Sequence, residues 1–173
     1  ELLIEQYSVQ ERFPLCLKED NVVGVPCSNT EIETFADARI QYRPVSYSPV
    51  TINRVEKTVT LLGNDEYFIS LDITLQNSGG GEIYRETTST GDDLVRSSLL
   101  KDSISTPRVS FGGHDLRCSP QPHITFVDNT AHINCVGTTQ LSEGQEYVER
   151  MTQINYEYPY RMKIKKGPIP IIL

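Results

Sequence analysis

The sequence predicts an all-β chain of mostly antiparallel strands, packed as a β-sandwich in one or two units. Three observations carry this. Apolar and polar residues alternate with a period of two, most strictly at Tyr67, Ile69, Leu71, Ile73 and Leu75 against Phe68, Ser70, Asp72, Thr74 and Gln76. Turn-forming clusters separate such runs, at Gly63-Asn64-Asp65, Asn77-Ser78-Gly79-Gly80-Gly81 and Asp128-Asn129. Helical periodicity is confined to one short segment, residues 94–101.

The elements follow in chain order. Early strands are expected at residues 2–9 and 36–47, then at 55–62, which is rich in Thr and Val. Gly63-Asn64-Asp65 turns that strand into the strong one. Three consecutive glycines then force a turn or bulge before a strand over 82–87. Residues 94–101 read as the one candidate helix. Strands are expected again at 108–111, 123–127, 131–138 and 146–157. Pro44, Pro49, Pro159, Pro168 and Pro170 sit in or beside strand-like runs. Proline has no N–H for a ladder, so each is expected at a strand end or sheet edge. Residues 1–52 read as an N-terminal strand-rich extension or small β unit, and 53–173 as the sandwich. Tyrosine-bearing runs at 40–52 and 154–164 echo one another weakly.

Four cysteines form two sequence-local pairs. Cys16–Cys27 and Cys118–Cys135 are the favoured disulfides among three connectivities. A zinc site built from His114, Cys118, His123, His132 and Cys135 is the rival reading. A hairpin around Asp128-Asn129 would set Thr125 opposite His132 and Ile124 opposite Ile133. His123 and His132 would then share one face, and Ile133 and Cys135 the other. That splits the ligand set, so no metal or other cofactor is expected.

Composition narrows the role. Of 173 residues, 38% are hydrophobic and 23% charged, which is a globular balance. The net charge of -7 opposes nucleic-acid binding, which needs a basic face to neutralise phosphates. The basic run Arg161, Lys163, Lys165 and Lys166 reads as the wet face of a strand. No stretch approaches the roughly 20 apolar residues of a membrane-spanning helix. The chain opens on Glu1 without a signal pattern, so a secreted chain with its signal segment removed, or a fragment, is expected at the cell exterior.

Motifs of catalysis are missing. There is no G-x-S-x-G elbow, phosphate loop, dinucleotide fingerprint or H-E-x-x-H. With the cysteines oxidised no thiolate nucleophile remains, and the expectation is no enzyme. Gly91-Asp92-Asp93 and Gly63-Asn64-Asp65-Glu66 are candidate calcium loops, although neither has regular ligand spacing.

Ile69-Ser70-Leu71-Asp72-Ile73-Thr74-Leu75-Gln76-Asn77-Ser78-Gly79 resembles the V-x-V-x-N-x-G signature of immunoglobulin-like surface modules of archaeal and bacterial envelopes, the CARDB-like domains. The resemblance implies an immunoglobulin-like sandwich in a surface or filament protein, with no catalytic residues to carry over.

The expected role is a structural subunit of an extracellular filament, pilus or surface layer, self-assembling with identical subunits by β-strand complementation. Leu2, Leu3, Ile4, Tyr7 and Val9 at one end, and Ile169, Ile171, Ile172 and Leu173 at the other, are the candidate assembly residues. The alternative is an adhesin or receptor module that binds glycan or protein through its loops.

Overall fold

The structure, a computed structural model, describes residues 2–19, 21–34, 48–91 and 94–163. Its strands are β1 (Leu2–Lys18), β2 (Thr30–Thr34), β3 (Val50–Gly63), β4 (Glu66–Asn77), β5 (Glu82–Gly91), β6 (Leu94–Lys101) and β7 (Ser103–Ser105). They continue as β8 (Arg108–Phe111), β9 (His114–Asp115), β10 (Arg117–Ser119), β11 (His123–Thr125), β12 (Thr130–Gln140) and β13 (Tyr147–Lys163). No helix occurs among the described residues, and every strand pair there is antiparallel.

Two sheets form the sandwich. One runs β6-β5-β13-β8-β9, with β1 also on β13. The other runs β10-β12-β4-β3-β2. A small β7-β11 pair stands beside them. The strong alternation of β4 has its physical reason here. Tyr67, Ile69, Leu71, Ile73 and Leu75 are buried in the core between the sheets, while Asp72 and Gln76 are exposed. Val9, Phe13, Leu15 and Leu17 of β1, and Ile154, Tyr156, Tyr158 and Tyr160 of β13, enter the same core. Asn64 and Asp65 take positive φ of 51° and 58°, as a two-residue hairpin turn requires.

β1 and β13 each span 17 residues and pair along their whole length, from Leu2↔Lys163 to Lys18↔Tyr147. The expected unit boundary after Ile52 falls inside β3, and β1 and β2 pair with β13 and β3.

Several expectations change. Residues 94–101 form β6, laddered onto β5 from Gly91↔Leu94 to Tyr84↔Lys101. Eight residues are too few to hold a helix alone, and a sheet edge lies beside them. Asp128 and Asn129 do make the expected turn, at φ 50° and 63°, closed by a Val127–Thr130 bridge. The hairpin stops there. β12 is taken on one edge by β4 and on the other by β10, which the Cys118–Cys135 disulfide holds in place. β11 therefore pairs with β7, with Thr125 opposite Ser103, and His123 and His132 lie in different sheets. Pro159 lies inside β13, not at its end. On one side of β13, β8 pairs with Thr152–Asn155 and β5 with Tyr160–Arg161, so the proline falls between two partners and interrupts neither ladder. The expected strand at 36–47, Pro44, Pro168, Pro170, Asp92, Asp93, Lys165 and Lys166 lie outside the described residues.

Candidate functional site

Backbone direction along β1 decides what its outer edge offers. Cys16 N–H donates to the Glu31 carboxylate at 3.2 Å, and Lys18 N–H to Asn29 Oδ1 at 3.2 Å. These amides therefore point away from β13. In an antiparallel strand the direction alternates, so Pro14, Arg12, Gln10, Ser8, Gln6, Ile4 and Leu2 also turn their backbone groups outward. Among the described residues, β13 is the one strand that pairs with β1.

The two ends of this edge differ. At residues 14–18 it is closed. Pro14 has no N–H to offer, and Glu31 and Asn29 bond the backbone beyond it. Asn29 Nδ2 also donates to the Lys18 carbonyl at 3.0 Å. Toward residues 2–12 no such cap is seen among the described residues.

Lys57 anchors the closed end. Its side chain is 0% exposed, and its Nζ donates to the carbonyls of Cys16 and Ser28 (the latter at 2.7 Å) and to the Glu31 carboxylate at 2.6 Å. The ammonium thus ties β1 in one sheet to β3 in the other, across the Cys16–Cys27 disulfide. Burial holds the Lys57 pKa below its ordinary value, and Glu31 acts in the opposite direction.

Tyrosines fix the open end to the core. Tyr7 of β1 stacks on Tyr158 of β13, with ring centroids 5.5 Å apart and planes 14° from parallel. Tyr156 stacks on Tyr158 at 6.1 Å, and Tyr160 meets Tyr7 edge-on at 6.0 Å. The Tyr156 and Tyr158 hydroxyls reach Val50 of β3 in the second sheet, and that of Tyr160 reaches Asn77 of β4. Tyr158 accepts from Val50 N–H at 2.9 Å and shares a bond with Ser48. Tyr160 accepts from Gly81 N–H at 2.5 Å. A Cβ on Gly81 would stand 2.6 Å from the Arg161 carbonyl and 2.7 Å from the Tyr160 ring, so close approach requires glycine there. Burial raises the Tyr158 and Tyr160 pKa values. The Tyr7 pKa is pushed up to about 12, first by its bond to Glu5 and then by burial.

A groove of about 660 Å³ lies where β1, β13 and the β7–β8 segment meet. Ser8, Gln10, Ser105, Arg108, Asn155 and Glu157 give it a mostly polar lining.

The structure places the predicted residues as follows. Cys16–Cys27 and Cys118–Cys135 are both disulfides, and no cysteine is free. Their sulfurs are thus closed to zinc. Among the described residues no three His, Cys, Asp or Glu side chains gather as a metal site. Ile133 and Cys135 face the core and His132 is exposed, bonded to Thr74. Val9 is 4% exposed in its own core. The backbones of Leu2, Leu3 and Ile4 lie opposite Lys163, Met162 and Arg161. Ile169, Ile171, Ile172 and Leu173 lie outside the described residues. Lys57 was missed by sequence reasoning, although a signal existed: it shares a strand face with Val55 and Val59, where a lysine must be buried.

Both disulfides fit an oxidising compartment, as in secreted or extracellular proteins. No helix among the described residues is long and apolar enough to cross a membrane. No family model, curated protein or solved structure matches the chain.

Proposed function

We propose that this chain is a structural subunit of an extracellular filament, pilus or surface layer, and that an identical subunit adds a strand to the outer edge of β1. The observation that carries the proposal is the asymmetry of that edge. The backbone groups of its even-numbered residues from Leu2 to Arg12 face outward beside no described strand, while residues 14–18 are closed by Pro14, Asn29 and Glu31. An added strand gains main-chain hydrogen bonds there and stops where the cap begins.

Leu2, Leu3, Ile4, Tyr7 and Val9, the candidate assembly residues at one end, take one side of the exchange within this reading. They pair with β13, so they serve as the acceptor edge. The donor is then the segment carrying Ile169, Ile171, Ile172 and Leu173 of a neighbouring copy. Its sequence suits the task. Pro168 and Pro170 remove N–H groups at alternate positions, so such a strand pairs through one edge and ends the sheet at the other. The CARDB-like resemblance supports the same class of role, and the proposal gives the chain no catalytic part.

The polar groove beside Arg108 and Glu157 favours a second reading, an adhesin or receptor module that holds a glycan or a protein segment. Electron microscopy and light scattering of the purified full chain at rising concentration separate the two. Polymers or concentration-dependent oligomers support strand addition. A chain that stays monomeric at high concentration rules it out.

A further inference from the structure

We infer that the neighbour's strand runs antiparallel to β1, entering from the closed end so that its basic run, Lys163, Lys165 and Lys166, meets the carboxylates there. The inference rests on the strand-addition reading and fixes what that reading leaves open, the direction of the added strand.

The two ends of the β1 edge carry different charge. At the closed end the Glu19 N–H donates to the Glu146 carbonyl at 2.9 Å, which sets both residues beside the last residue of β1. Asn29 meets Lys18 and Glu31 meets Cys16, so Glu33, on the same face of β2 as Glu31, comes next along the edge. Glu31 is matched by Lys57 at 2.6 Å, and the Lys18 ammonium is held by the Val22 carbonyl at 3.0 Å. Glu19, Glu33 and Glu146 form no ion pair among the described residues, and Asp20 follows Glu19 in the sequence. At the open end Arg161 lies opposite Ile4 and Lys163 opposite Leu2. Arg161 shares the Glu82 carboxylate with Lys101, and Lys165 and Lys166 follow in the sequence, so cations outnumber Glu1, Glu5 and Glu82. A strand entering at the open end would set one basic run against another. A strand entering at the closed end sets its cations against unmatched carboxylates.

Chain length suits the antiparallel path. β13 ends at Lys163, and residues 164–173 reach about 35 Å when extended. The closed stretch, residues 14–18, takes up about 17 Å of that reach. Ile169, Ile171, Ile172 and Leu173 are then left for the open edge that begins at Arg12. Direction also decides the kind of assembly. An antiparallel donor leaves its own subunit at the open end and enters the next at the closed end, a heterologous contact that repeats head to tail. A parallel donor would join open end to open end, and reciprocal exchange would close a dimer.

A mixture of ordinary and isotopically heavy full chain, concentrated and treated with a carbodiimide, reads the direction. The reagent joins a lysine to a carboxylate within contact, and mass spectrometry separates links between copies from links within one. Mixed-isotope links are expected from Lys165 or Lys166 to Glu19, Glu33 or Glu146, in a ladder of dimers, trimers and larger species. Lys165→Glu with Lys166→Glu should weaken association about tenfold by making those contacts repulsive, and adding Glu19→Lys with Glu146→Lys should restore it. Mixed-isotope links from the same lysines to Glu5, oligomers that stop at the dimer, or a charge swap that restores nothing would overturn the inference and leave strand addition standing. A chain that stays monomeric at high concentration overturns both.

Discussion

Lys57 places an ammonium where water does not reach it and surrounds it with three acceptors: two carbonyls and the Glu31 carboxylate. Removing one partner of a buried pair leaves the rest unsatisfied. Lys57→Met should therefore cost about 3 kcal/mol of stability in a denaturant titration. Adding Glu31→Gln should recover part of that loss, because the stranded carboxylate goes with it. Glu82 supplies a pH signature. Its folded pKa is depressed to about 2 from an ordinary 4.5, by its bonds to Lys101 and then Tyr84. A depressed carboxylate contributes stability that is present above the ordinary value and lost as pH falls through the folded one. Stability should thus fall between pH 4.5 and about 2 in wild type, and fall less in Glu82→Gln. Glu82 and Lys101 are exposed enough for salt to weaken the effect. At this scale the cysteines were legible, because spacing alone favours local pairs. Lys57 was legible in principle, from its place between Val55 and Val59. The carbonyls that surround it come from distant segments and leave no trace beside it in the sequence.

Strands differ in how much of their fate is local. β4 was readable because one face is buried and the other wet, which writes a period of two into the chain. The pairing of β1 with β13 was not, since the partners sit near opposite ends of the sequence and no short-range pattern links them. The Asp128-Asn129 turn was readable from residues that tolerate positive φ. The partner of β11 was not, because β10 and β4 occupy both edges of β12. β1 carries a sharp test of the outward-amide assignment. Gln10→Pro removes an N–H that faces away from β13, as Pro14 already does. It should leave a folded monomer and abolish oligomers. Val9→Pro removes an N–H bonded to β13 and displaces a core residue, so it should cost about 3 kcal/mol or more and unfold much of the chain. Circular dichroism and light scattering read both. Gly81→Ala should cost about 1–3 kcal/mol by overpacking against Tyr160 and Arg161, seen as a lowered melting temperature.

At the scale of the molecule, two sheets share one core, with disulfides near the closed end of β1 and at the β10–β12 edge. This arrangement holds β1 on its inner side, and at residues 2–12 its outer side faces no other strand among the described residues. The central claim is that the outer side receives a neighbour's strand. Residue-resolved amide hydrogen exchange of β1, in dilute and concentrated full-length protein, tests it most directly. The account predicts that Tyr7, Val9 and Glu11 are protected in both states. Gln6, Ser8, Gln10 and Arg12 should exchange quickly when dilute and become protected when concentrated. Equal exchange of those four amides in the two states would contradict it.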